Sequence, residues 1–202
     1  LNRTSTSVQV THRCSDHIIL PKQNWSRALY IPTTYSGNGL YGPFHAYEDA
    51  KYRRWQRALF DEMPELTFKA HPKSRSAPLE HVKLEERQLE ECINEYDLLI
   101  FDYFATGSIL ALVSDKPVIY CDIGLRWLHP KFFKDMKDRC EYVKIDLDLP
   151  TGSQLEKAFS ELRDSNIVRS NHKIVRYARC EKAKFNWIRL FQAVNNGQSP
   201  SV

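Results

Sequence analysis

From Arg27 onward the chain alternates between short apolar runs and stretches with helical spacing. The segments "RALYIPT" (27–33), "ELTFKAHP" (65–72), "DLLIFD" (97–102), "KPVIYCD" (116–122) and "EYVKID" (141–146) have the length and composition of strands. Between them, "AYEDAKYRRWQRALFDEM" (46–63), "EERQLEECINEY" (85–96), "TGSILALVS" (106–114) and "PKFFKDMKDRC" (130–140) repeat apolar residues at helical intervals. Two further helical stretches follow, "GSQLEKAFSELRDS" (152–165) and "NHKIVRYARCEKAKFNWIRLFQAV" (171–194). Strands that alternate with helices predict βαβ units, and "LLIF" and "PVIY" are apolar throughout, as strands covered on both faces must be. The expected fold is therefore α/β, a Rossmann-like, doubly wound parallel sheet with helices on both faces. Strands beginning near Leu29, Leu66, Leu98 and Val118 should be parallel neighbours, with their carboxyl ends along one edge. Ligands of such sheets bind at that edge, so the strand ends are the places to look for chemistry.

Outside this alternation, residues 1–25 are polar apart from the patch "HIILP" and read as a linker or an added edge segment. Residues 26–195 form the expected Rossmann-like domain, and 196–202 a disordered tail. No internal repeat interrupts the pattern. The 202 residues, 42% of them hydrophobic, suffice for one domain with a large core. A net charge of +4, from 29 Lys and Arg against 25 Asp and Glu, is too mild for a nucleic-acid binder but compatible with a local anion site.

Cys14, Cys92, Cys121, Cys140 and Cys180 contain no CxxC pair, fit no zinc spacing and are odd in number, which predicts a reducing compartment. No apolar run approaches the roughly 20 residues that span a bilayer, and the opening segment has no signal-peptide pattern. The expected location is cytoplasmic, with peripheral attachment at the inner face of the cytoplasmic membrane as the variant. A basic run with apolar positions at Ile174, Val175, Tyr177, Phe185, Trp187 and Ile188 would serve such attachment or support a partner domain; otherwise it is a terminal helix packed on the sheet. The start on Leu1 rather than Met reads as part of something larger.

Three strand ends carry candidate chemistry. The first runs into "PTTYSGNGLYG", where Gly37, Gly39 and Gly42 permit tight turns and Thr33, Thr34 and Ser36 offer hydroxyls. This is neither the GxxxxGK[ST] of a P-loop nor the GxGxxG dinucleotide fingerprint, so NTPase and dehydrogenase chemistry are not favoured. The second strand ends on Lys69, His71 and Lys73, with His71 held in extended backbone by Pro72. The third is followed by Thr106, Gly107 and Ser108 where a helix should begin, and a helix amino terminus offers unpaired N–H groups and positive potential to a phosphate. Thr106 or Ser108 would equally serve as an ordinary cap.

The ordered set "PTTYSG", "KAHP", "DYFATGS" and "DKPVIY", over roughly residues 27 to 150, resembles the carboxy-terminal, donor-binding half of GT-B glycosyltransferases that build bacterial surface polysaccharides. The resemblance is to the teichoic-acid glycerophosphotransferase, polysialyltransferase and Kdo-transferase groups. In those families a His-Pro motif and a Ser/Thr motif hold the phosphate of a CMP- or CDP-activated donor. The resemblance implies that His71-Pro72 is the His-Pro pair and that Ala105-Thr106 is the Ser/Thr motif, with an alanine where a serine is often expected. Thr106, Ser108 or both would then meet the phosphate. It implies a catalytic His71 and a donor site of Thr34, Ser36, Gly37, Lys69, His71, Lys73, Thr106, Gly107 and Ser108. Fixed donors around the departing phosphate stabilise the charge that develops there.

No carboxylate pair of ligand spacing lies beside these motifs, so metal-independent binding is expected, with no cofactor other than the nucleotide-activated sugar or glycerol that is the substrate. The implied partners are a polysaccharide or glycolipid acceptor and an amino-terminal acceptor domain that would supply the general base; no nucleic acid is implied. Asp102 is a second candidate base, although a carboxylate that ends a buried strand is more often structural. In "GLRWLHPKFF", Trp127 or Phe132 would cover a nucleotide base or serve the core. The competing functions are a non-catalytic Rossmann-like assembly module and a GT-B-shaped sugar-nucleotide-modifying enzyme such as an epimerase.

Overall fold

The computed structural model describes residues 18–19, 26–33, 49–71, 79–164, 168–169 and 173–174. In chain order the elements are β1 (Ile18–Ile19), β2 (Ala28–Ile31), α1 (Asp49–Glu62), β3 (Thr67–Lys69), β4 (Lys83–Glu85), α2 (Leu89–Cys92) and a 3-10 turn (Ile93–Glu95). Then follow β5 (Leu98–Phe101), α3 (Thr106–Val113), β6 (Val118–Asp122), α4 (Pro130–Arg139), β7 (Glu141–Lys144), α5 (Thr151–Asp164) and β8 (Val168–Arg169).

Six strands form one sheet in the order β4-β3-β2-β5-β6-β7, and every neighbouring pair is parallel. The four strands expected to be parallel neighbours are its centre, β3-β2-β5-β6. The fold is the doubly wound, Rossmann-like α/β arrangement that the alternation predicts.

Strand alternation divides the interior into two cores. Ala28, Tyr30, Leu98, Ile100, Ile119 and Cys121 point to one face, where Tyr52, Trp55 and Leu59 of α1 and Leu155 and Phe159 of α5 cover them. Leu29, Leu99, Phe101, Val118 and Tyr120 point to the other, beneath α2, α3 and Met136 of α4. Tyr52, Trp55 and Leu59 recur three and four residues apart and are fully buried, which is why this stretch is helical despite its run of arginines. Pro130 opens α4 at a position where its missing N–H costs nothing, and His129 Nδ1 accepts from Lys131 N at 3.3 Å.

Arg139, 1% exposed, fastens the far end of α3 to the chain entering β6. Its Nε donates to Leu112 O at 2.8 Å, and its Nη2 to Ser114 O at 3.0 Å and Lys116 O at 2.7 Å.

Three elements depart from the periodic reading. The helix expected over 85–96 is shorter, because Glu85 belongs to β4 and pairs in register with Lys69, leaving α2 and the 3-10 turn. β4 has no apolar signature: Lys83 is exposed, Leu84 is 43% exposed and Glu85 is buried, the reverse of an amphipathic strand. Residues 18–19 do not extend the main sheet but pair antiparallel with β8 as a separate two-stranded sheet. Most of the expected helix 171–194 and the tail lie outside the described residues.

Candidate functional site at the carboxyl edge

The chain lays down β2, β3 and β4 outward on one side, then returns to place β5, β6 and β7 on the other. The topological switch therefore falls between β2 and β5, and ligands of such sheets bind outside the carboxyl ends there.

Asp102, the residue after β5, is fully buried at this point on the α1 face. Its Oδ2 accepts from Tyr30 Oη and from Trp55 Nε1 at 3.1 Å, and its Oδ1 accepts from Thr33 N at 3.2 Å. Tyr52 adds a further side-chain hydrogen bond to the carboxylate, and its Oη accepts from Thr33 N at 3.0 Å. Gln56 Nε2 donates to Tyr30 Oη at 3.2 Å. Burial pushes the Asp102 carboxyl upward in pKa, while the hydrogen bonds from Tyr30, Tyr52, Trp55 and Thr33 pull it back. Burial, reinforced by the charge of Asp102, also raises the Tyr30 phenol well above its ordinary range. With no exposed surface, Asp102 cannot take a proton from an acceptor; its chemistry is to pin Thr33, where the chain leaves β2.

On the other face, α3 begins at an Ala105 that has no side-chain oxygen for capping. Ser108 compensates from the third helical position, accepting from Ala105 N at 3.2 Å and donating to Tyr103 O at 2.6 Å. The Ser108 hydroxyl is 2% exposed and its single proton is committed inward. Thr106 is exposed, and the N–H groups of Thr106 and Gly107 belong to the first turn, where no helix carbonyl reaches them. Gly107 lets this turn approach β2: a Cβ there would stand 3.3 Å from Leu89 Cδ2 and 3.4 Å from Ile31 Cγ2.

The remaining expected site residues divide into two groups. His71 is half-buried, two residues beyond β3. Lys69 is buried, its Nζ donating to Ala70 O at 3.0 Å and Glu85 O at 3.4 Å, both backbone carbonyls at the ends of β3 and β4. Thr34, Ser36, Gly37, Pro72 and Lys73 lie outside the described residues. Among the described residues no group of three His, Cys, Asp or Glu side chains is placed to hold a metal.

The same edge carries groups that periodicity does not flag. Beyond β4, Arg87 grips Glu85 in a fork, Nε to Oε1 at 2.9 Å and Nη2 to Oε2 at 2.7 Å, and also donates to Glu95 Oε1 at 2.6 Å. Tyr96 Oη donates to Glu85 Oε2 at 3.0 Å. The Arg87 hydrogen bond holds the Glu85 carboxyl down at about 2. At the end of β6, Asp122 accepts from Gly124 N at 3.0 Å and from Tyr142 Oη at 2.7 Å, and Gly124 takes φ 81°, which favours glycine. Arg126 Nη1 donates to Tyr103 Oη at 2.7 Å. A cleft of about 280 Å³ lies at the ends of β6 and β7, lined by Lys51, Gly124, Lys144, Asp146 and Asp148 among others, with Lys51 and Asp148 paired across it. The Tyr103–Arg126, Asp122–Tyr142 and Lys51–Asp148 pairings have no sequence signal, because each joins residues from distant segments.

No family model and no curated protein matches the chain. One solved structure that it resembles is the glycotransferase of kitacinnamycin, at 13% identity and a TM-score of 0.42, over 98% of this chain and 48% of that one. The chain thus spans about half the length of that protein. At this level the likeness adds nothing to what the strand order already shows. Among the described residues no helix is long and apolar enough to cross a membrane.

Proposed function

We propose that the chain is the nucleotide-donor-binding half of a GT-B-type transferase that uses a CMP- or CDP-activated sugar or glycerol. One observation carries this reading. Three adjacent strands about the switch point deliver His71 after β3, the pinned exit of β2 at Thr33, and the first turn of α3 after β5 to the same sheet edge. In this reading the N–H groups of Thr106 and Gly107 and the exposed Thr106 hydroxyl receive the phosphate, and His71 donates a charge-assisted hydrogen bond as negative charge builds on the leaving group. Ser108 shapes the turn rather than touching the donor, since its proton goes to Tyr103 O. Thr34, Ser36, Gly37 and Lys73 complete the proposed donor site. Donor binding is metal-independent, and the general base and the polysaccharide or glycolipid acceptor belong to a partner domain on the cytoplasmic side.

The inward commitment of Lys69 and Ser108 favours a second reading, a non-catalytic assembly module with a reduced pocket. Thermal shifts with CMP, CDP, UDP and ADP separate the two. Saturating nucleotide at a hundred times its Kd stabilises the folded state by about 2.7 kcal/mol, whereas a pure assembly module shows no shift with any of them. A best response to UDP or ADP would replace the cytidine donor with another.

A further inference from the structure

The loop joining β6 to α4 is anchored on both sides and bare in the middle. Leu125 packs against the α1-face core and Leu128 against the α3-face core, while Trp127 between them is 96% exposed. With its flanking residues drawn into opposite cores, the indole has no core of its own to enter. The preceding residue ties this loop to the proposed phosphate site: the Arg126 guanidinium lies 5.5 Å from the centre of the Tyr103 ring and donates to its hydroxyl at 2.7 Å. The Tyr103 carbonyl in turn accepts from Ser108 in the first turn of α3 at 2.6 Å. A fully exposed indole is thus carried between anchored neighbours on the loop that leaves the carboxyl end of β6, a loop linked through Arg126 and Tyr103 to the anion-receptive helix end.

We propose that Trp127 is the stacking platform for the base of a nucleotide whose phosphate lies at the amino terminus of α3, an inference that rests on the donor-binding reading above. An indole face carries no hydrogen-bond code, and every base presents a π-face, so the platform contributes affinity without choosing between bases. Base choice then falls to other groups.

The test titrates CMP, AMP and inorganic pyrophosphate calorimetrically into the full chain as wild type, Trp127→Ala and Trp127→Phe, with circular dichroism to confirm folding. Base–aromatic stacking of about 1–3 kcal/mol corresponds to a loss of about 5- to 150-fold. Trp127→Ala should weaken CMP and AMP together by that factor and leave pyrophosphate within about twofold, while Trp127→Phe should recover most of the loss. Equal CMP affinity in wild type and Trp127→Ala would overturn the platform and leave donor binding standing. A parallel loss of pyrophosphate would also overturn it, because the residue would then be acting on the phosphate site. If the wild type binds neither nucleotide nor pyrophosphate, the donor reading itself fails and the platform with it.

Discussion

Replacing Asp102 with Asn keeps the shape of a fully buried side chain but alters what its four donors meet. Tyr30 and Tyr52 can rotate their hydroxyl protons elsewhere. Trp55 Nε1–H and Thr33 N–H cannot, and they approach different oxygens, Oδ2 and Oδ1. Whichever way the substituted amide turned, its NH2 would confront one of these fixed donors. When that donor is Thr33, the Tyr52 oxygen at 3.0 Å still serves it, so the less costly orientation keeps the carbonyl on Trp55. A buried donor left without its acceptor costs about 1–3 kcal/mol, and relief from burying a charge offsets part of this. A net loss of about 1–2 kcal/mol follows, a drop of roughly 2–8 °C in Tm for a domain of this size.

The pH dependence carries the sharper test. Burial raises the folded-state pKa of Asp102, so the folded protein holds this proton more tightly than the unfolded chain. The stability linked to that proton is present below the unfolded pKa and is lost as pH rises through the folded one. Asn cannot titrate, so the stability gap between wild type and Asp102→Asn should widen as pH falls from 7 towards 4. Urea unfolding of both proteins at pH 7, 6, 5 and 4 measures it, each pair compared at the same pH so that other groups cancel. A gap below about 0.5 kcal/mol at every pH, or one independent of pH, would refute the idea that a buried carboxyl organises the switch point.

His71→Ala should weaken CMP binding by about 1.5–3 kcal/mol, the worth of a hydrogen bond to a charged group, more than Lys73→Ala does, and should leave cytidine binding unchanged by calorimetry. Gly107→Leu should cost about 1–3 kcal/mol by overpacking, because a Cβ already lies 3.3 Å from Leu89 and 3.4 Å from Ile31; Gly107→Ala should stay within about 1 kcal/mol, since side-chain ends can give way. In the wild type, Glu85 contributes stability that is present above its ordinary pKa near 4.5 and lost as pH falls through about 2. Arg87→Met should remove that dependence, so acid titration of the two proteins should converge at low pH.

The centre of the sheet was legible because its strands announce themselves locally. Leu98 to Phe101 is buried at all four positions, and nothing but a strand covered on both faces explains such a run beside helical neighbours. β4 was not legible, because its one buried residue is a glutamate stabilised by an arginine two positions later and a tyrosine eleven positions away. At the site, sequence order correctly brought the ends of β3, β2 and β5 to a single edge. It did not reveal that Ser108 and Lys69 turn inward, since serine and lysine carry the same local signal whether they face a ligand or a backbone carbonyl. The Asp102 cluster was hidden for a further reason: its partners Tyr30, Thr33 and Trp55 lie 72, 69 and 47 residues away in the chain.

The strand order has a consequence for the making of the protein. β2 is central, yet Ala28 finds its partner Leu98 only 70 residues later. A ribosome adding about 5–20 residues per second leaves that flank of β2 open for about 4–14 s after it is synthesised. During that interval "ALYI" offers a row of unpaired N–H and C=O groups beside apolar side chains, a template for any other extended segment nearby. β3, some 38 residues downstream of β2, closes the opposite flank first and leaves this one waiting. The newborn chain thus passes through a window in which holdase chaperones and stray strands compete for the same edge, and slowing translation between residues 70 and 98 should shift more of the product into aggregates.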